Sequence, residues 1–171
     1  MDPIKNIVRR AEFKDVSDIA LMWIKLSADQ LQKDKFYTGE IPDSVNESIE
    51  HYTELLENEN CGIFILENEN SVYGYIEVWR SAKDFHFFID DHAYILHYYI
   101  EESFRNSPQS LYYFHQLYNC VEKWASEKKL LYIVADVFEH NNKVAKLLGH
   151  LCKMELYRHK LVKKLDEGAN Y

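Results

Sequence analysis

Ala93 to Ile100 reads AYILHYYI, a run of the β-branched and aromatic residues that favour strands. Gln109 to Glu127 then places Leu111, Phe114, Leu117, Tyr118, Val121, Trp124 and Ala125 at helical spacing. A short turn joins the two, and an apolar strand, Leu131 to Val137 (LYIVADV), comes after the helix. Strand, helix and strand in this order make a βαβ-like unit, so the helix must bury its apolar side against a sheet containing both strands.

The rest of the chain supplies the remaining layers. Ile4 to Ala11 predicts a short strand, and Asp15 followed by Val16 to Gln32 a capped helix with Ile19, Leu21, Met22, Ile24 and Leu26 at its apolar positions. A polar connection through Thr38-Gly39 and Pro42 leads to a second helix, Ser44 to Glu57, bearing Val45, Ile49, Tyr52, Leu55 and Leu56. Cys61 to Glu67 and Ser71 to Trp79, joined by Asn68-Glu69-Asn70, predict an antiparallel hairpin. After the βαβ-like unit, Asn142 to Leu151 predicts a short helix and Glu155 to Leu165 one or two closing strands. The succession is α+β. It implies a mixed sheet with helices on both faces, a three-layer α/β/α arrangement, in one domain over residues 1–171.

Composition narrows the function. A net charge of −8 disfavours nucleic acid, whose backbone rewards basic patches, and suits a cationic, amine-bearing partner. No apolar run is long enough to cross a bilayer, and MDPIKNIVRR is not a secretory signal, so neither membrane nor secretion is expected and a cytoplasmic location is. Cys61, Cys120 and Cys152 are odd in number and lack metal-ligand spacing, which predicts free structural thiols and no metal site.

The turn between strand and helix, IEESFRNSPQSL, lies where unpaired amides and the helix dipole favour an anion such as phosphate. The run Ile100-Glu-Glu-Ser-Phe104-Arg105-x-x-Pro108-x-Ser110 resembles the GNAT superfamily of acetyl-CoA-dependent N-acyltransferases, in which a strand end leads to Q/R-x-x-G-x-G/A. Val72-Tyr-Gly74-Tyr-Ile is similar to that superfamily's glycine-containing third strand, and Asn142-x-x-Ala145-x-x-Leu148 to the start of its last helix.

The resemblance implies a mostly antiparallel mixed sheet flanked by about four helices, with acetyl-CoA as co-substrate. It places coenzyme contacts at Tyr98, Tyr99 and Ile100 on the strand, at Arg105, Asn106, Ser107, Gln109, Ser110 and Leu111 in the turn, and at Asn142. Pro108 and Ser110 stand where the superfamily has glycine, or glycine or alanine. Proline donates no amide hydrogen and both side chains crowd a pyrophosphate, so weaker coenzyme binding is expected. Ser107 and Pro108 also read simply as N-cap and first residue of the helix.

Amide formation requires a neutral amine to attack the thioester and a donor for the departing thiolate. The superfamily's usual donor, a tyrosine one residue past Leu148, is replaced here by Gly149. Three residues are candidates for moving protons: Glu77, His97 and Tyr94. Alternation sets Glu77 on one face with Tyr73, Tyr75 and Trp79, where burial among aromatics would raise its pKa. It equally fits a solvated strand position. His97 has a suitable pKa, but alternation turns it opposite to Tyr98 and Ile100, away from the expected cleft unless a bulge intervenes. Tyr94 occupies an offset where some relatives carry a catalytic carboxylate or histidine. Tyr37, Tyr75 and Trp79, with Phe85, Phe87 and Phe88, are candidates for an aromatic acceptor pocket, and core packing explains them as well.

Two functions compete. One is an N-acetyltransferase acting on a small-molecule amine or a peptide by direct attack, with a homodimer compatible. The other is a GNAT-like ligand-binding or assembly module that has lost the coenzyme.

Overall fold

The computed structural model describes residues 7–36, 44–68, 71–82, 90–105, 107, 109–159 and 161–162. Five strands form one sheet in the order of the chain: β1 (Ile7–Arg10), β2 (Cys61–Asn68), β3 (Ser71–Ser81), β4 (His92–Ile100) and β5 (Ile133–Ala135). All neighbours are antiparallel except β4 and β5, which are parallel. The mixed, mostly antiparallel sheet expected from the sequence is therefore present.

Helices α1 (Val16–Lys33) and α2 (Val45–Glu57) cover one face. Here Ile19, Ala20, Met22, Tyr52 and Leu55 pack on Ile63, Ile65, Tyr75 and Tyr99. A single helical turn, α3 (Glu102–Arg105), precedes α4 (Ser110–Glu127), and α4 with α5 (Asn142–Cys152) covers the other face. There Phe114, Leu117, Val121 and Leu148 meet Leu66, Ile76, Val78 and Ile95. Burying such side chains contributes roughly 1.5–3 kcal/mol each. Because β2 is apolar on both faces, it takes an interior position between β1 and β3.

Local chemistry fixes the starts of the first two helices differently. The Ser44 hydroxyl accepts the Glu47 amide and caps α2. Asp15 stands at the N-cap of α1, yet its carboxylate turns away from that helix. It accepts the Glu12 amide at 2.8 Å and Arg9 at 2.7 and 2.9 Å, while Arg9 also reaches Glu67. This cluster ties the β1–α1 connection to β2.

Several expectations need correction. Leu21 and Leu111 are exposed, Leu21 on the outer side of α1 and Leu111 in the first turn of α4. β5 is shorter than Leu131 to Val137, and Leu131 and Tyr132 lie exposed before it. Among the described residues no closing strand follows α5: Leu156, Leu161 and Val162 are exposed and meet no sheet edge. Tyr73 does not share the face of Tyr75 and Glu77. Leu66 pairs with Gly74 and Glu67 with Val72, so Tyr73 is an extra residue that packs towards the α4 side, 4.3 Å from the Phe104 ring.

Candidate active site

A second bulge shapes the site. Glu77 pairs with His97 and Val78 with Ile95, which leaves Leu96 unpaired on β4. Strict alternation from Ile95 would send His97 into the core beneath α4. The extra residue turns it instead to the α1/α2 face, beside Glu77. His97 thus lies opposite to Tyr98 and Ile100, as alternation predicts, and the bulge changes its relation to Ile95 alone.

Glu77 is almost fully buried, with three donors on its two oxygens. The Trp79 indole donates to Oε1 at 2.6 Å, the Tyr52 hydroxyl to Oε2 at 3.3 Å, and His97 Nδ1 lies 2.8 Å from Oε2. Burial works against the charge and is the largest influence. The hydrogen bond and charge of His97, with the Trp79 indole, outweigh it and hold the carboxyl below its usual range. The raised pKa expected from burial among aromatics is therefore corrected, because those neighbours carry donors. An ionised carboxylate only accepts, so His97 Nδ1 is the donor. Burial pushes the hydroxyls of Tyr52 and Tyr75 up, so both remain protonated.

Trp23 of α1 closes this cluster, with its ring 6.4 Å from His97 and 6.5 Å from His51. Trp23, His51 and Tyr52 were not identified as site residues from the sequence. Tyr52 reads there as an ordinary apolar position of α2, and no local pattern separates Trp23 from packing.

Other candidates lie elsewhere. Tyr94 shares a face with Trp79, but its hydroxyl donates to Asp136 at 2.9 Å, apart from the Glu77–His97 pair. Tyr75 is wholly buried, 3.2 Å from the Tyr52 hydroxyl, and supports the cluster from within. Trp79 is half-buried, consistent with a wall of one. Tyr37, Phe85, Phe87, Phe88 and Asn106 lie outside the described residues.

Next to this cluster, β4 pairs with β5 only from Ala93 to Ile95. From Leu96 to Ile100 that edge has no strand partner among the described residues. The side chains of Tyr98 and Ile100 point into the α4 core, with Tyr98 edge-on to Phe114 at 5.0 Å, so only their backbone faces the open edge. Tyr99 points to the opposite face. Beyond the strand, Lys25 of α1 pairs with Glu101 at 2.6 Å, and the Arg105 guanidinium lies 4.8 Å over the Tyr99 ring while its Nε donates to the Ile100 carbonyl.

The turn differs from the simple Ser-Pro helix start. Ser107 donates its hydroxyl to the Phe104 carbonyl, its own carbonyl accepts the Ser110 amide, and Gln109 is the N-cap of α4. Asn142 opens α5 and is exposed. Among the described residues no cluster of three or more His, Cys, Asp or Glu is placed to hold a metal, and no helix is long and apolar enough to cross a membrane.

The sequence matches no family profile and no curated protein. Solved structures do match over nearly the whole chain. Aminoglycoside N-acetyltransferase AAC(6')-Iy in complex with CoA is 15% identical, with a TM-score of 0.69, covering 95% of this chain and 96% of its own. Aminoglycoside 6'-N-acetyltransferase AAC(6')-Ih from Acinetobacter baumannii is 13% identical, with a TM-score of 0.68, covering 95% of this chain and 100% of its own. Glucosamine-6-phosphate N-acetyltransferase from Arabidopsis thaliana is 14% identical, with a TM-score of 0.62, covering 95% of this chain and 99% of its own. The fold is the GNAT fold, shared with these N-acetyltransferases.

Proposed function

We propose that the protein is an N-acetyltransferase that moves the acetyl group of acetyl-CoA to a small-molecule amine. The observation that carries this is the parting of β4 from β5 after Ile95, beside the Glu77–His97 pair, in a fold whose solved counterparts include an enzyme crystallised with CoA. An exposed strand edge offers backbone groups to the amides of the pantetheine arm. The first turn of α4 presents the Leu111 amide and the Ser110 hydroxyl towards the pyrophosphate, with the Arg105 guanidinium beside it. Gln109 and Ser107 border that turn, and Asn142 begins α5 on the same side of the sheet as α4.

The acceptor enters from the α1/α2 face, between Trp23 and Trp79. Aromatic faces suit a cationic amine. The acetylated amines of the structural counterparts, aminoglycosides and glucosamine phosphate, are of this small-molecule kind. Holding amine and thioester together supplies much of the acceleration, because orientation turns a bimolecular reaction into an effectively unimolecular one.

The test is thiol release from acetyl-CoA in the presence of a panel of primary amines, including aminoglycosides, hexosamines and arylalkylamines. Amine-dependent release supports the transferase. Binding of a panel amine with no binding of acetyl-CoA at millimolar concentration supports the ligand-binding module.

A further inference from the structure

The buried carboxylate and the histidine beside it have unequal access to a substrate, and this divides their roles. Glu77 is enclosed, and its oxygens already accept from Trp79, Tyr52 and His97. It has no free edge from which to take a proton. The side chain of His97 is 27% exposed, its Nδ1 is committed to Glu77, and Nε2 makes no hydrogen bond among the described residues. With Nδ1 protonated, the lone pair of a neutral imidazole is on Nε2.

We propose that His97 Nε2 accepts the proton of the acceptor amine and that Glu77 is a positioning residue, which fixes the imidazole tautomer and steadies the imidazolium that forms. This rests on the acetyltransferase reading given above. Trp23, edge-on to His97, limits rotation of the ring, and Tyr52 and Trp79 hold Glu77 in place.

The amine arrives as an ammonium, and Nε2 takes one proton and later passes it to solvent. The freed lone pair attacks the thioester carbonyl carbon, the C–S bond breaks, and sulfur leaves with the electron pair as thiolate. The nitrogen loses a second proton to water and the thiolate gains one, giving amide and free thiol. Glu77 on β3 and Trp23 on α1 contact His97, and the other titratable groups of the cluster are Tyr52 and His51 on α2, Tyr75 on β3 and Tyr99 on β4, with the Lys25–Glu101 pair beyond Tyr99.

Two measurements test this. Long-range proton–nitrogen NMR of the His97 ring needs neither turnover nor a variant. The Nδ1–H tautomer is expected, and an Nε2–H tautomer would overturn the proposal. In the second, His97→Gln should lower kcat by about 100-fold or more, with acetyl-CoA affinity by calorimetry unchanged. Added imidazole should restore part of the activity of His97→Ala, and Glu77→Gln should lower kcat with little change in KM. Wild-type kcat in His97→Gln would overturn the proposal while leaving the acetyltransferase reading intact. Failure of the wild-type protein to bind acetyl-CoA would overturn that reading, and with it the role given to His97.

Discussion

His97 Nδ1 lies 2.8 Å from Glu77 Oε2, and the two are the last pair of a regular run that begins at Gly74 and Ile100. The extra residue Leu96 lets Ile95 face the α4 core while His97, two residues on, stays on the α1/α2 face. It lies just past Ile95, the last residue of β4 paired with β5. The His97 ring therefore sits beside the open edge proposed to receive the thioester.

Gly149 has room for a side chain. A Cβ there would meet only the Met154 carbonyl, at 3.6 Å, an ordinary contact. Gly149→Tyr should raise stability by about 0.5 kcal/mol through helix propensity. It should also raise kcat several-fold by restoring a donor for the thiolate. Urea unfolding and steady-state kinetics check both, and an unchanged kcat would show that solvent already reprotonates the thiolate fast enough.

Gly74 has no such room. A Cβ would come within 2.8 Å of the Tyr99 carbonyl and 3.0 Å of Ile100 Cγ1, so β3 and β4 would have to separate. Gly74→Ala should destabilise by about 2 kcal/mol, read as a lower urea midpoint with an unchanged slope. Because the displaced strand is β4, acetyl-CoA affinity should fall too.

The Arg9 cluster predicts an acid dependence of stability. Burial opposes the charge on Asp15, but the Arg9 hydrogen bond and the Glu12 amide leave its pKa below the ordinary value, and Arg9 lowers that of Glu67. Both folded pKa values lie below the unfolded ones, so the contribution is complete above the unfolded values, about 4. It is lost as pH falls through the folded values. Asp15→Asn should cost about 2 kcal/mol at neutral pH by leaving Arg9 short of a partner. Its stability should decline less steeply than wild type below about pH 4, by urea unfolding at a series of pH values.

At the turn, Ser110 begins α4 with its side chain half-buried where the resemblance places glycine or alanine. Ser110→Gly should tighten acetyl-CoA binding about threefold, equal to ~0.6 kcal/mol, by calorimetry. Unchanged or weaker binding would show that the hydroxyl does not crowd the pyrophosphate.

The layers and most elements were legible in the sequence because their signals are local. The apolar spacing of 114–125 produced α4, α2 formed within its expected bounds of Ser44 to Glu57, and the β2–β3 hairpin formed near its predicted bounds. The bulges at Tyr73 and Leu96 were not legible, since each depends on the pairing of two strands. The first decides which face Tyr73 takes, and the second lets Ile95 and His97, two residues apart, take opposite faces. The lowered pKa of Glu77 was not legible either, because its main cause, His97, is distant in sequence and meets Glu77 only through the pairing of β3 with β4. The closing strands expected after α5 rested on alternating apolar residues alone, and Leu156, Leu161 and Val162 remain exposed.

The measurement that tests acetyl-CoA use most directly is thermal unfolding of the intact protein with and without acetyl-CoA. A ligand at one hundred times its dissociation constant stabilises by about 2.7 kcal/mol. The coenzyme site proposed at the β4 edge and the α4 N-terminus predicts a midpoint that rises with acetyl-CoA up to millimolar concentrations, with half the effect from free CoA or more. A midpoint that does not move at millimolar acetyl-CoA would contradict it.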